Sequence, residues 1–105
     1  MKPLIFGYMR VPDGTSDEEV KQKHDAIAAY AELEGFALEA VFRETVSDRI
    51  PAFAELVEAV QRAEARRVVV PSYGDLARTR PLQRAMCLHI AHQTNAQVVS
   101  LEGPA

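Results

Sequence analysis

Three arginines, Arg10, Arg49 and Arg78, fall in the segments at or just beyond three apolar runs, and a carboxylate, Asp75, precedes the last of them. Guanidinium groups stay charged at any ordinary pH. Three of them brought to one point would repel one another unless an anion or a carboxylate lay between them. Asp75 is placed to be that internal partner, so an arginine to carboxylate contact is expected. Arg80 and Arg84 stand one helical turn apart and extend the basic character of Arg78 into a small patch able to touch phosphate. A solvated helix face is the plainer reading of that pair. Hydroxyls that might attack an electrophile are few nearby. Thr15 and Ser16 follow the turn Pro12-Asp13-Gly14, and Ser16 with Glu19 three residues on reads as a helix cap.

Cys87, His89 and His92 suggest a metal site at first sight, but helical geometry separates them. At ~100° per residue the two histidines lie roughly 60° apart, with the cysteine on the other side of the helix. His89 shares a stripe with Leu82, Met86 and Gln93, and His24 lies on the apolar stripe of the first helix, so both histidines are assigned to packing. Arg62, Arg66 and Arg67 cluster at the amino end of a strand, near Glu58 and Glu64, and receive no functional role. No metal and no cofactor is expected.

The elements that must position these residues follow from periodicity. Leu4 to Met9 is a near-continuous apolar run, as expected for a strand covered on both faces. A helix opens at Ser16, carries Val20, His24, Ile27 and Ala31 on one stripe, and stops near Gly35. A second strand spans about Leu38 to Arg43, followed by the polar stretch Glu44 to Arg49. Pro51 suits the first turn of a second helix, whose buried face is Phe53, Leu56, Val57 and Val60. The third strand is Arg67 to Val70, broken by Pro71-Ser72-Tyr73-Gly74. A third helix runs from Asp75 or Arg80 to Gln93, and Gln97 to Leu101 holds the last strand.

Strands alternating with helices, joined by right-handed crossovers, imply an α/β fold: a three-layer αβα sandwich on a mostly parallel four-stranded sheet, flavodoxin-like in architecture. Function in such sheets gathers at the carboxyl ends of the strands. That rule selects Tyr8 to Thr15, Phe42 to Arg49, Pro71 to Arg78 and Ser100 to Gly103.

The chain of 105 residues fits one domain, 1–105, with a core of 3–101 and a frayed tail of 102–105. Its 48% apolar and 26% charged content is that of a soluble globule. A single cysteine excludes an internal disulfide and suits a reducing compartment, the cytoplasm. The start MKPLIFGYMRV is too short for a membrane span and poor as a signal peptide. The net charge of −3 argues against strong autonomous DNA binding. A phosphorelay receiver would need acids where Arg10 and Pro71 stand, and a nucleotide-binding turn would need more glycine than Gly14.

Tyr8-Met9-Arg10-Val11 resembles the Tyr-x-Arg-Val-Ser signature of serine recombinases, the resolvase and invertase family. Ala26 to Ala31, Arg49-Ile50-Pro51-Ala52-Phe53 and Asp75-Leu76-Ala77-Arg78-Thr79 continue the resemblance in order, from about Pro3 to Leu101. The resemblance implies the family's resolvase-like catalytic fold. It also implies a chemistry in which a serine attacks a DNA phosphodiester while arginines hold the phosphate, as phosphoryl transfer requires. Arg10, Arg49 and Arg78 match such arginines, the second with Ile50 as an extra residue before Pro51. The serine, however, falls on Pro12, an aspartate on Gly74 and a further arginine on Asp75. A glutamine of the first helix falls on Lys23, or on Gln22 if the register slips by one. Proline has no hydroxyl and stiffens the turn that would present one.

These departures imply a degenerate site that has lost strand cleavage and rejoining, in a chain that ends where recombining relatives continue into a pairing helix and a helix-turn-helix domain. The expected role is regulatory or protein-interacting, through a partner protein or self-association, with no membrane and no small-molecule cofactor. The alternative is a DNA-binding accessory protein in recombination or transcriptional regulation that keeps Arg10, Arg49, Arg78, Arg80 and Arg84 for weak phosphate contact. An active site-specific recombinase ranks third.

Overall fold

The computed structural model describes residues 2–45 and 50–102. Four parallel strands form one sheet in the order β2-β1-β3-β4, with β1 at Leu4–Arg10, β2 at Ala37–Glu44, β3 at Arg67–Val70 and β4 at Gln97–Ser100. The helices are α1, Asp17–Glu34, α2, Pro51–Ala63, and α3, Arg80–Thr94. A single 3₁₀ turn, Tyr73–Asp75, stands between β3 and α3, so the third helix begins at the later of the two expected starts.

Successive side chains of a strand point to opposite faces, and β1 divides accordingly. Ile5 and Met9, with Val69 of β3, pack under Val20, Ile27 and Ala31 of α1. Phe6 and Tyr8, with Val68 and Val70, pack against α2 and α3 through Phe53, Leu56, Val60, Met86 and Ile90. The path explains this split. β1 connects to β2 on one side, and the chain then crosses back over β1 to reach β3 and β4 on the other. Right-handed crossovers of opposite direction place their helices on opposite faces.

Two of the three helices start on a side-chain cap of their own. The Ser16 side chain accepts from the Glu19 backbone N–H at 3.1 Å, the cap expected from sequence. Thr79 does the same for α3 through the Leu82 N–H. Gly35 ends α1 at φ 79°, a left-handed conformation that costs glycine little. The stripe expected for α3 differs from the one observed. Met86 and Ile90 are buried, whereas Leu82 and His89 are exposed. The ring of His89 still lies 6.0 Å from that of Phe53. The sheet meets the helix one position further round than the Leu82, Met86, His89, Gln93 series implies.

Gly7 sets how closely α1 approaches the sheet. A Cβ there would lie 3.0 Å from Ile27 Cγ2 and 3.1 Å from Val41 Cγ2. Both neighbours are β-branched and have few rotamers with which to yield. Gly7→Ala should therefore lower stability by about 1–3 kcal/mol, the usual cost of overpacking a filled core. Urea unfolding reads this as a lower midpoint at unchanged slope; an unchanged midpoint would show that α1 lifts from the sheet without cost.

Candidate functional site

The sheet order reverses direction between β1 and β3, and at such a switch point the loops at the strand carboxyl ends part to leave a crevice. Here it is about 330 Å³, lined by Arg10, Pro12, Lys23, Glu44, Thr45, Ser72, Gly74, Asp75 and Arg78. Of the residues expected at the site from sequence, Arg10, Pro12, Gly74, Asp75 and Arg78 meet here. Arg80 and Arg84 line a separate groove beside α3. Arg49 lies outside the described residues.

Asp75 holds the crevice together. Its carboxylate is buried, at 4% exposure. Oδ1 accepts from Lys23 Nζ at 2.8 Å and from the Arg10 backbone N–H at 3.1 Å, and Oδ2 accepts from Ser72 Oγ at 3.0 Å. A buried charge is tolerable only when paired and hydrogen-bonded in this way. The expected arginine to carboxylate contact is thus corrected: the cationic partner is Lys23. The Arg10 guanidinium instead donates to the Leu76 carbonyl at 3.4 Å. Arg10 leaves β1 near the 3₁₀ turn, which brings its main chain within reach of Asp75, while α1 delivers the flexible Lys23 side chain. Lys23 is half-buried and lines the crevice, whereas Gln22 is exposed. Two of the departures noted in sequence, Lys23 and Asp75, are therefore one ion pair.

Glu44, which sequence reading left in a polar stretch, is the second buried carboxylate, at 2% exposure. It accepts from Tyr8 Oη at 2.8 Å and from the Ala52 and Phe53 backbone N–H groups at 3.2 and 3.1 Å. The cap residue of α2, Ile50, has no side chain able to accept, and the first turn of α2 holds no acid. Glu44 reaches across from the end of β2 to satisfy the open N–H groups and the positive end of the helix dipole. The available signal was an uncapped Pro51 start with an acid upstream. Burial, followed by the bond to Glu44, pushes the Tyr8 phenol well above its ordinary value.

Neither proposed hydroxyl enters the crevice. Thr15 Oγ1 donates to the Pro12 carbonyl at 2.7 Å, and Ser16 Oγ caps α1. Ser72 and Thr45 do line it, and sequence reading had not singled them out. Pro12 is exposed on its rim. Among the described residues no three His, Cys, Asp or Glu side chains gather as a metal ion would need. Cys87 is half-buried, and burial pushes its thiol up, towards the protonated form that binds metal poorly. Arg67 is structural: it donates to Tyr30 Oη at 2.8 Å and lies 5.0 Å over the ring of Phe36.

The parallel αβα sheet thus carries, at its switch point, a crevice rimmed by Arg10 and Arg78. A family model, the resolvase N-terminal domain, matches residues 5–104, and the chain belongs to that family. The fold is similar to the C-terminal catalytic domain of ISC1926 TnpA, an IS607-like serine recombinase, with TM-score 0.79 and 12% identity over 96% of this chain and 71% of that one. It is similar also to the N-terminal catalytic domain of TP901-1 integrase, with TM-score 0.75 and 19% identity over 94% and 77%. The C-terminal catalytic domain of IS1535 TnpA, another IS607-like serine recombinase, gives 0.72 and 18% over 91% and 69%. No curated protein sequence matches the chain. Among the described residues no helix is long and apolar enough to cross a membrane.

Two outcomes follow from the buried carboxylates. Asp75→Asn should cost about 1–3 kcal/mol, because Lys23 loses its counter-charge and a packed network is broken. The same variant should gain affinity for sulfate, seen as a salt-specific recovery of Tm that sodium chloride does not reproduce. For Tyr8 the neutral form is favoured in the folded state only. Its contribution is fully present below the unfolded phenol value of about 10 and is lost as pH rises past it. Absorbance titration of the folded protein should accordingly show Tyr8 still neutral well above the ordinary phenol value of about 10, and Tyr8→Phe should remove that late-ionising signal.

Proposed function

We propose that this is a serine-recombinase-like domain that does not cut DNA and acts as a regulatory or protein-interaction module, through a partner protein or a second copy of itself. The observation that carries this reading is the buried Asp75 carboxylate. It neutralises Lys23 and occupies the Arg10 N–H, donors that a phosphodiester would otherwise draw on. Pro12, in the place where the family's motif has serine, supplies no attacking oxygen. Leu33, Leu82 and Leu88, at 83%, 50% and 53% exposure, offer apolar contact on α1 and α3. The lone cysteine suits a cytoplasmic setting, and no cofactor is assigned.

A second reading, a DNA-binding accessory protein, is favoured by one specific observation. Residues 76–101 carry Arg78, Arg80 and Arg84 and not one Asp or Glu. Phosphate contact through such a face would be weak and salt-dependent.

Incubation with supercoiled plasmid, quenched in detergent, should give neither nicked DNA nor a covalent adduct. Pro12→Ser should remain inactive as well, because Asp75 still neutralises the crevice. A trapped adduct in the unaltered protein that disappears in Ser72→Ala or Ser16→Ala would overturn the reading and identify the oxygen. Sedimentation velocity tests the self-association arm; a species that stays monomeric up to ~100 μM excludes a dimer with a dissociation constant at or below that range and favours the partner-protein arm.

A further inference from the structure

An open groove of about 710 Å³ runs between the 3₁₀ turn and the first two turns of α3, lined by Tyr73, Arg80, Pro81, Gln83, Arg84 and Cys87. It shares no lining residue with the crevice at the strand ends. We propose that this groove binds an unpaired nucleotide of a single-stranded nucleic acid, with Arg80 and Arg84 on its phosphates and the Tyr73 ring against its base. The inference rests on the second, nucleic-acid-binding reading and gives it a place and a substrate form.

Charge supports the phosphate half. Lys21, Lys23, Arg62 and Arg67 each have a carboxylate within 4.0 Å. Among the described residues neither Arg80 nor Arg84 has one, as is also true of Lys2, Arg10, Arg43, Arg66 and Arg78; Arg80 and Arg84 differ in standing one turn apart in a stretch, 76–101, that holds no Asp or Glu. Two guanidinium groups one helical turn apart lie at the spacing of neighbours on a helix surface, roughly 6 Å between their Cβ atoms. They are strong, fixed-geometry donors to phosphate. An adjacent, exposed positive pair of this kind can hold an anionic ligand.

The base half depends on Tyr73. The residue is half-buried, packed in part on the core shared by α2 and α3, and otherwise lines the groove. A ring held in this way offers a stacking surface without first being ordered. Gln83 is also fixed, since its Nε2 donates to the Ala77 carbonyl at 2.8 Å, which leaves its amide oxygen as an acceptor for a base amino group. Stacking on an aromatic ring requires a base whose face is free, and in a duplex both faces are covered by neighbouring pairs. The groove therefore favours a single strand. The exposed Leu82 and Leu88 are not among its lining residues, which separates it from the apolar surface offered to a protein.

Fluorescence anisotropy of the whole chain with labelled oligo-dT, oligo-U and a duplex of equal length tests this. The expected result is tighter binding to the single strands than to the duplex, with the dT and U arms showing whether DNA or RNA is preferred. Arg80→Ala with Arg84→Ala should weaken binding at least tenfold and flatten the log–log salt slope by about 1.4, two contacts at ~0.7 each. Tyr73→Leu should weaken it about tenfold with the slope unchanged, and Tyr73→Phe should retain it. Equal affinity for the duplex or for poly-glutamate would overturn the proposal, as would undiminished binding by the double arginine variant. Binding lost in Arg10→Ala and Arg78→Ala but kept in the Arg80 and Arg84 variant would also overturn it, while leaving the broader accessory reading intact.

Discussion

Three elements that are far apart in sequence are tied at one buried carboxylate. Asp75 accepts from the end of β1, from the side chain α1 sends over the sheet, and from Ser72 in its own turn. Parallel strands share no hairpin, so nothing local fixes where their carboxyl ends stand relative to one another. A charged acceptor with three donors does that here. Removing any one donor would leave a buried charge short of a partner, so the geometry of the crevice and the stability of the fold are the same interaction.

Glu44 makes a second tie of this kind, between β1, β2 and α2, and the two carboxylates face the same crevice. Their surroundings differ in a way that matters for chemistry. Glu44 is surrounded by a phenol and backbone amides and carries its negative charge against a helix dipole. Asp75 is neutralised by an ammonium group. With Arg10 and Arg78 on the rim, the crevice is close to charge balance without any ligand. Binding sites that stabilise phosphoryl transfer are built the other way, with unneutralised cations awaiting the anion.

The fold was legible in the sequence because each element carried its own signal. The apolar run of Leu4 to Met9, the Ser16 cap, the Gly35 stop and the Pro51 start all lie where local chemistry puts them. The convergence of Arg10 and Arg78 was legible too, from the rule that strand carboxyl ends meet at a switch point. The partner of Asp75 was not. Lys23 reaches it from a helix 52 residues away in sequence, and helical periodicity says which face a lysine occupies but not how far its flexible chain bends inward. Glu44 was hidden for a related reason: it caps a helix that begins at Pro51, outside its own strand, and the trace this leaves in sequence is no more than an uncapped Pro51 start with an acid upstream. Charge balance around Asp75 implies a cation, and in sequence the cations nearest the strand ends are arginines.

Net charge is the sequence quantity that the structure qualifies most. A value of −3 disfavours polyanion binding when the charge is spread evenly, and here it is not. α1 alone carries Asp17, Glu18, Glu19, Asp25, Glu32 and Glu34, whereas α3 has no acid at all. The molecule extends 38 × 30 × 24 Å, and at physiological salt the field of an exposed charge decays over about 8 Å. α1 lies on the opposite face of the sheet from α3, so its carboxylates are screened from a ligand beside Arg80 and Arg84. Long-range steering follows the whole charge and slows the approach of a polyanion, while contact energy follows the local arginines. The two terms act on different steps, so a slow association rate with a strong salt dependence of the bound state is the signature that such a divided surface imposes.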